Sequence, residues 1–436
     1  MSETKRMTAA ICTLGCRVNQ YESRAISEYL EANGIEIGKF SEKCDAYIIN
    51  TCAVTAESER KSRQMARRAF KLNPEAFIVM TGCQSQLHPE AAKSLPGVKY
   101  VCGNSSKLDA ARAVIENLGT KSEECVCTVG TISPSYEDYS VKCPDHTRAY
   151  IKIEDGCENK CAYCVIPKVR GPVRSKPFDS VVNEVRAVAK LGYKEIVLTG
   201  IETCSYQYGL TDLMRTLCEI DGIERIRLSS VNPSFINRRF AEAIKDMPKI
   251  CPHFHLSLQS CCDKTLNAMK RKYNTRMLFE NCEALRENIP NLCFTADIIC
   301  GFPGETDEDF ETTRANVNKL SLLHAHVFPY SKRPDTVAAT MPDQVDEAVK
   351  AKRCEILFSE VCENKKRIIS DLSEAGTVFS VLFETEINGK YFGHTENFIP
   401  VTLNHTENVC GKIIKVRLDG TVEINGEIYA KANTLK

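Results

Sequence analysis

Along the first hundred residues, short apolar runs recur, each followed by a turn and then by a polar stretch with apolar residues every three or four positions. Met7 to Leu14 leads to Gly15-Cys16, Ala46 to Asn50 leads to Thr51-Cys52, and Phe77 to Thr81 leads to Gly82-Cys83; Val98 to Cys102 forms a fourth run. Strand-length runs alternating with helical periodicity predict an α/β unit, a doubly wound parallel sheet with helices on both faces, over residues 1–120. From 121 to 147 the periodicity gives way to Ser, Pro, Asp and Glu, which predicts a linker. Strand-like runs then return with helices between them, at Tyr150 to Ile153, Glu195 to Thr199, Arg225 to Ser229, His253 to Leu258, Phe294 to Ile299 and His324 to Phe328. Six such units over 148–369 predict a partial or complete (β/α) barrel, whose chemistry belongs at the carboxyl ends of its strands. After a last helical stretch, short alternating runs joined by Asn-Gly and Asp-Gly predict a small antiparallel β-barrel over 370–436.

Three of the predicted N-terminal strands end at a cysteine: Cys16, Cys52 and Cys83. Parallel strands point the same way, so residues just past their ends collect on one edge, where open α/β sheets place ligands. Three thiols far apart in sequence are thus expected to meet, although each alone also reads as a small buried residue. A second triad lies in one stretch, DGCENKCAYC, with Cys157, Cys161 and Cys164. Cys-x-x-x-Cys-x-x-Cys without a fourth thiol nearby suits a 4Fe–4S cluster held by three thiolates, one iron being left open to a substrate. The competing reading is a structural zinc loop, which needs four ligands and usually pairs two Cys-x-x-Cys knuckles or adds histidines. Tyr163 is placed either to cover a cluster or to pack in a core.

Composition narrows the partners. The 57 basic and 57 acidic side chains cancel, so a nucleic acid would be met by a local patch rather than a global field. Candidate patches are Arg60, Arg63, Arg67 and Lys71 at helical spacing, then Lys168, Arg170, Arg174 and Lys176, and then Lys270, Arg271, Lys272 and Arg276. Solvated surface is the plain alternative for the helical row. The 23 cysteines are odd in number; with no secretory leader and no apolar run of bilayer length, they point to reduced thiols, a cytoplasmic location and no membrane.

Together these motifs resemble the methylthiotransferase branch of the radical S-adenosylmethionine enzymes. The resemblance runs over essentially the whole chain, through TLGCRVNQYES, NTCAVT, MTGCQ, YIKIEDGCENKCAYCVIPKVRG, HLSLQS and DIICGFPGET, with a C-terminal barrel similar to a TRAM domain. Within the branch the text is most similar to members that act on N6-threonylcarbamoyladenosine at position 37 of tRNA. Isopentenyladenosine-37 and a ribosomal protein side chain are the alternative targets, and a zinc-stabilised RNA-binding protein is the alternative without catalysis.

The resemblance implies two 4Fe–4S clusters. One, on Cys157, Cys161 and Cys164, would bind S-adenosylmethionine and yield a 5′-deoxyadenosyl radical; the other, on Cys16, Cys52 and Cys83, would carry the sulfur to be transferred. It also implies that Gly200, Glu202, Ser257, Gln259, Asp297 and Gly301 lie about the S-adenosylmethionine pocket, with strand-end packing as the alternative for each, while naming no further catalytic side chain. The implied partners are the anticodon stem-loop of tRNA and an unidentified electron donor, with the chain a monomer. Tyr391, Phe392 and Phe398 are the aromatics available to RNA on the C-terminal barrel. One departure from the family's text is Cys261, followed by Cys262, where glycine often follows SLQS; a side chain there is expected to crowd the pocket edge.

Overall fold

The computed structural model describes residues 6–119, 124–142 and 147–435. Its N-terminal unit runs β1 (Thr8–Thr13), α1 (Arg17–Ala32), β2 (Glu36–Ile37), β3 (Ala46–Thr51), α2 (Ala56–Leu72), β4 (Phe77–Gly82), α3 (Cys83–Leu87), α4 (Pro89–Lys93), β5 (Val98–Val101), α5 (Asp109–Asn117) and β6 (Val126–Cys127). The sheet order is β2-β1-β3-β4-β5-β6, with every ladder parallel. All residues of β3 and β4 are buried, as expected of parallel strands covered on both faces. Ile48 and Val79 pack on one side with Ile26 and Leu30 of α1, whereas Tyr47, Ile49, Ile78 and Met80 pack on the other with Ala66 and Ala69 of α2. The strands β2 and β6 have two residues each, too few for a periodic signal. The latter comes from the segment expected to be a linker. Further along that segment, Glu137 accepts the backbone N–H groups of Lys107 and Leu108.

The central unit continues with β7 (Ala149–Lys152), β8 (Glu154–Asp155), α6 (Ile166–Arg170), β9 (Arg174–Ser175), α7 (Phe178–Lys190), β10 (Glu195–Thr199), α8 (Leu210–Cys218), β11 (Arg225–Leu228), β12 (Ser230–Val231), α9 (Arg238–Ile244), β13 (His253–Gln259), α10 (Asp263–Ala268), α11 (Thr275–Asn288), β14 (Cys293–Cys300), α12 (Asp307–Leu320), β15 (His324–Pro329) and α13 (Glu347–Glu374). The barrel strands form two parallel sheets, β11-β10-β7 and β12-β13-β14-β15. Only Ser229 separates β11 from β12, so the two sheets follow one another as an arc. No ladder joins β7 to β15 among the described residues, and the barrel is partial.

Helix α13 carries the chain from one core to the next. Its Leu357 and Val361 belong to the central core, and its Ile369 to the core of the C-terminal unit; the boundary expected at 370 falls inside it. Then β16 (Val378–Ile387), β17 (Lys390–Thr395), β18 (Pro400–Asn404), β19 (Ile413–Ile424) and β20 (Glu427–Thr434) close into a barrel in the order β16-β17-β18-β20-β19. The expected antiparallel barrel needs one correction, because β18 pairs with β20 in parallel, Val401 opposite Ala430. Five strands cannot alternate direction all the way round a closed ring, so one parallel pair is unavoidable.

Candidate functional site

The strands β1, β3 and β4 are neighbours in the sheet; Cys52 and Cys83 directly follow the carboxyl ends of β3 and β4, and Cys16 stands three residues past the end of β1. The three thiols interact electrostatically with one another. Gly15 has φ +95°, and a Cβ there would stand 2.8 Å from the Cys52 sulfur, so the turn that presents Cys16 needs glycine. Asn104 Nδ2 approaches Cys83 Sγ at 3.7 Å. Burial pushes the Cys52 thiol up to about 11, so it carries its proton at neutral pH until a metal displaces it.

The second triad occupies the loop between β8 and α6. The backbone N–H groups of Asn159 and Ile166 donate to Cys157 Sγ and Cys164 Sγ, each at 3.4 Å, and Arg271 Nη1 donates to Cys161 Sγ at 3.5 Å. The loop is tied at both ends: the Cys157 N–H donates to Gly171 O and the Ala162 N–H to Met269 O, both at 3.0 Å. A Cβ on Gly156 would lie 2.0 Å from Pro172 O. Burial raises Cys157 to about 11 and Cys164 to about 12. Among the described residues no three His, Cys, Asp or Glu groups are gathered tightly enough for a single metal ion. A cubane asks for something looser, since each thiolate binds a different iron, and N–H donors to the sulfurs are among the protein's means of tuning such a cluster. Both triads fit that group. Tyr163 packs edge-on against Phe302, among Ala162, Met269 and Tyr330.

A buried ion network joins the two triads. Glu22 of α1 accepts from Arg170 Nη1 at 2.5 Å, Lys152 Nζ at 2.8 Å and Lys107 Nζ at 3.1 Å. Asp155, two residues before Cys157, accepts from Lys152 at 2.8 Å, Arg174 at 3.1 Å and Arg170 at 3.2 Å. Burial alone would raise both carboxyls, but the cations, Arg170 foremost, outweigh it and hold Glu22 well below the usual range and Asp155 below it too. Four cations thus face two carboxylates, and Arg170 also lies within electrostatic reach of Cys83 and Cys16. The surplus positive charge suits anionic sulfur. The basic cluster around Gly171-Pro172 is therefore no RNA patch: Arg170, Arg174 and Lys176 are buried, Lys176 on Glu184 at 2.5 Å, and Lys168 donates to Asp335 O. On α2, Arg60 pairs with Glu57 at 2.6 Å and Arg63 with Glu59 at 3.9 Å, which leaves Arg67 and Lys71 as the exposed cations of that row with no ion pair among the described residues. In the third cluster Arg271 is committed to Cys161, while Lys270, Lys272 and Arg276 are exposed.

A cavity of about 500 Å³ opens between the three units. Cys16 and Cys52 line one wall, Gly200 and Asp297 line the barrel side, and Phe398 enters from the C-terminal barrel. Glu202 reaches the cysteine loop instead, accepting from Asn159 Nδ2 at 3.1 Å. The Ser257 carbonyl accepts from Arg271 Nη2 at 2.7 Å, beside Cys161. Gln259 ends β13 past a register shift with φ +68°, and Gly301 packs so closely that a Cβ would meet Lys350 Cγ at 2.3 Å; neither lines this cavity. Cys261 and Cys262 do not crowd it either, because Cys261 is fully buried in the central core and Cys262 Sγ turns to Asp309 Oδ1 at 3.5 Å. Of the C-terminal aromatics, Tyr391 belongs to the barrel core and Phe392 stacks edge-on with Tyr429.

Sequence reasoning passed over two features of this site. Glu154, beside Gly200, is held at about 8 chiefly by burial, accepts the Glu202 N–H at 2.7 Å and leaves its other oxygen without a partner. Four of the eight histidines, His253, His255, His324 and His326, line the cavity with Thr295 and Asp297 between them. Their signal was the His-x-His spacing in two strand runs, which puts both members of each pair on one face.

Comparison with known proteins agrees with this layout. The model of the Radical SAM superfamily matches residues 151–316, and that of the Uncharacterized protein family UPF0004 matches residues 8–103. The chain is 37% identical over 429 residues to threonylcarbamoyladenosine tRNA methylthiotransferase MtaB of Bacillus subtilis, covering 94% of this chain and 93% of the relative. It is 36% identical to the protein of that name from Rickettsia prowazekii, covering 95% of each. It is 33% identical to tRNA-2-methylthio-N(6)-dimethylallyladenosine synthase of Thermoanaerobacter pseudethanolicus, covering 96% of this chain and 91% of the relative. Among solved structures, the radical S-adenosylmethionine methyltransferase TsrM from Kitasatospora setae, with cobalamin and a 4Fe–4S cluster bound, superposes with a TM-score of 0.58 at 16% identity over 77% of both chains, a likeness of fold.

Proposed function

The chain belongs to the radical S-adenosylmethionine methylthiotransferase family, and on that premise we propose that it transfers a methylthio group to C2 of N6-threonylcarbamoyladenosine at position 37 of tRNA. The observation that carries the reading is the shared cavity, with Cys16 and Cys52 on one wall and the carboxyl ends of the barrel strands on the other. When bound, 4Fe–4S clusters and S-adenosylmethionine supply a 5′-deoxyadenosyl radical at Cys157, Cys161 and Cys164 and a transferable sulfur at Cys16, Cys52 and Cys83.

The chain's own residues position and shield. Arg271 and two backbone N–H groups fix the radical loop, and the Glu22–Arg170–Asp155 network sets its distance from α1 and Cys16. A C2 hydrogen of adenine has no acidic proton for ordinary acid–base work, so orientation of the base between the triads is the protein's task. Gly200 lets the end of β10 pack closely on Glu154, since a Cβ there would stand 2.7 Å from Glu154 Oε2. Gly200, Glu202, Ser257, Gln259, Asp297 and Gly301 are the residues assigned to S-adenosylmethionine and its surroundings. The substrate is delivered on an anticodon stem-loop, with an electron donor, to a monomer. No helix among the described residues is long and apolar enough to cross a membrane.

Nucleosides from cells with and without the gene test the assignment by mass spectrometry. Loss of 2-methylthio-N6-threonylcarbamoyladenosine, restored by the intact gene, is expected; an unchanged pool of it rules the assignment out. Loss of the methylthio derivative of isopentenyladenosine instead would move the enzyme to the other tRNA substrate.

A further inference from the structure

The cavity wall carries more positive charge than an apolar substrate group needs. Arg17, the first residue of α1 and neighbour of Cys16, is exposed on it. Its guanidinium lies over the Tyr150 ring at 5.4 Å, within electrostatic reach of His253 and His326, and pairs with no carboxylate among the described residues. Arg227 approaches from β11, 1% exposed. Its Nε is spent on Glu195 at 2.9 Å, its Nη2 on Glu396 O at 3.2 Å, and its plane covers Phe398 at 4.8 Å, but its Nη1 has no partner among the described residues. Among the described residues Asp297 is the one acid in the wall, and it already faces His255 Nε2 at 3.2 Å.

The imidazoles of His253, His324 and His326 do not supply the charge. Burial holds His253 well below its usual range, brings His324 to about 4 and lowers His326, so these rings are neutral hydrogen-bonding groups near pH 7. Two arginines with unused donors, set among neutral imidazoles and the hydroxyls of Ser229, Ser230 and Thr295, form an acceptor site for a small anion that also carries a hydroxyl. A guanidinium is the side chain best shaped to take a carboxylate with two parallel hydrogen bonds.

We propose that Arg17, backed by Arg227, is the specificity determinant of the site and binds the carboxylate of the threonyl group on N6 of the target adenine. The inference rests on the substrate reading above and deepens it. An uncharged, apolar N6 substituent seated in the same cavity would strip water from Arg17 without replacing it, and such unpaired buried groups are what reject the wrong substrate most strongly.

The test uses full-length enzyme with both clusters reconstituted and anticodon stem-loops that differ only at N6 of position 37: threonylcarbamoyl, the same group with its carboxylate converted to the carboxamide, and isopentenyl. Affinity is read by fluorescence anisotropy. Wild type is expected to prefer the carboxylate over the carboxamide by roughly 10- to 100-fold, the range of a charged hydrogen bond. Arg17→Gln is expected to lose that preference with iron content unchanged, and Arg17→Lys to keep part of it. If wild type binds acid and amide equally, or Arg17→Gln retains the full preference, the role of Arg17 is overturned while product formation still stands. Absence of methylthio product from the threonylcarbamoyl stem-loop would instead defeat the substrate reading beneath it.

Discussion

The two cysteine triads have the same composition and are built in opposite ways. Cys157, Cys161 and Cys164 sit in one eight-residue loop, whereas Cys16, Cys52 and Cys83 are 36 and 31 positions apart and meet only because β1, β3 and β4 are neighbours in a parallel sheet. The local triad draws its sulfur contacts from backbone N–H groups of its own loop and the first residue of α6, plus Arg271 from the barrel. The dispersed triad leans on the rest of the molecule, through Asn104, Arg170 and the glycine turns. A loop that carries its own ligands tolerates changes elsewhere; a site assembled from strand ends depends on the packing of the whole sheet.

The comparison can be broken most sharply by removing one ligand from each. Cys157→Ala is expected to abolish reductive cleavage of S-adenosylmethionine, measured as 5′-deoxyadenosine. Cys52→Ala should leave that cleavage detectable while abolishing methylthio product, and product from the second variant would refute the division of labour. Intact protein should hold about eight irons per chain, and each variant about four; zinc in place of iron would exclude both clusters.

A smaller but still large effect is expected at the network that couples them. Glu22→Ala leaves Arg170, Lys152 and Lys107 without their shared carboxylate, and breaking a buried ion pair costs about 3–5 kcal/mol. Chemical denaturation should show that loss, with the dispersed triad's iron lost before the local triad's. Next comes Arg271→Ala, which removes a cation and a donor from Cys161. The reduced cluster, the more negative form, then loses stabilisation, so the potential of that cluster alone should become more negative in a redox titration.

The smallest effect concerns pH. Burial raises the thiols of Cys52 and Cys157 to about 11 and that of Cys164 to about 12, so the proton is bound at neutral pH and must leave on metal loading. Reconstitution should accelerate as pH rises from 7 to 9, because each unit increases the thiolate fraction about tenfold below the thiol's pKa. A rate independent of pH over that range would show that proton loss from these thiols does not limit loading.

Much of this was legible along the chain. The alternation of apolar runs and helical stretches gave the order of sheet, partial barrel and terminal barrel, and strand ends marked both triads. Less visible were the two-residue strands β2 and β6, which carry no period, and the parallel β18–β20 pair, which follows from ring closure rather than from either strand's text. Charge spacing misled at Arg170, Arg174 and Lys176, since a row of cations looks the same whether it faces water or buried acids. The close approach of Gly301 to Lys350, where a Cβ would stand 2.3 Å from Cγ, is likewise invisible along the chain.

The sequence by itself determined which residues can bind metal, how the local cysteine loop is spaced and where strands end, because these depend on neighbours a few bonds away. That Cys16 and Cys52 share a cavity with Gly200 and Asp297, that Arg170 joins Glu22 to Asp155, and that Arg17 lines a wall with four histidines and no carboxylate partner among the described residues were settled by tertiary structure alone. Those arrangements rest on sheet order and on contacts between units, and side chains separated by a hundred or more residues acquire a common environment only when the fold brings them within a few ångströms.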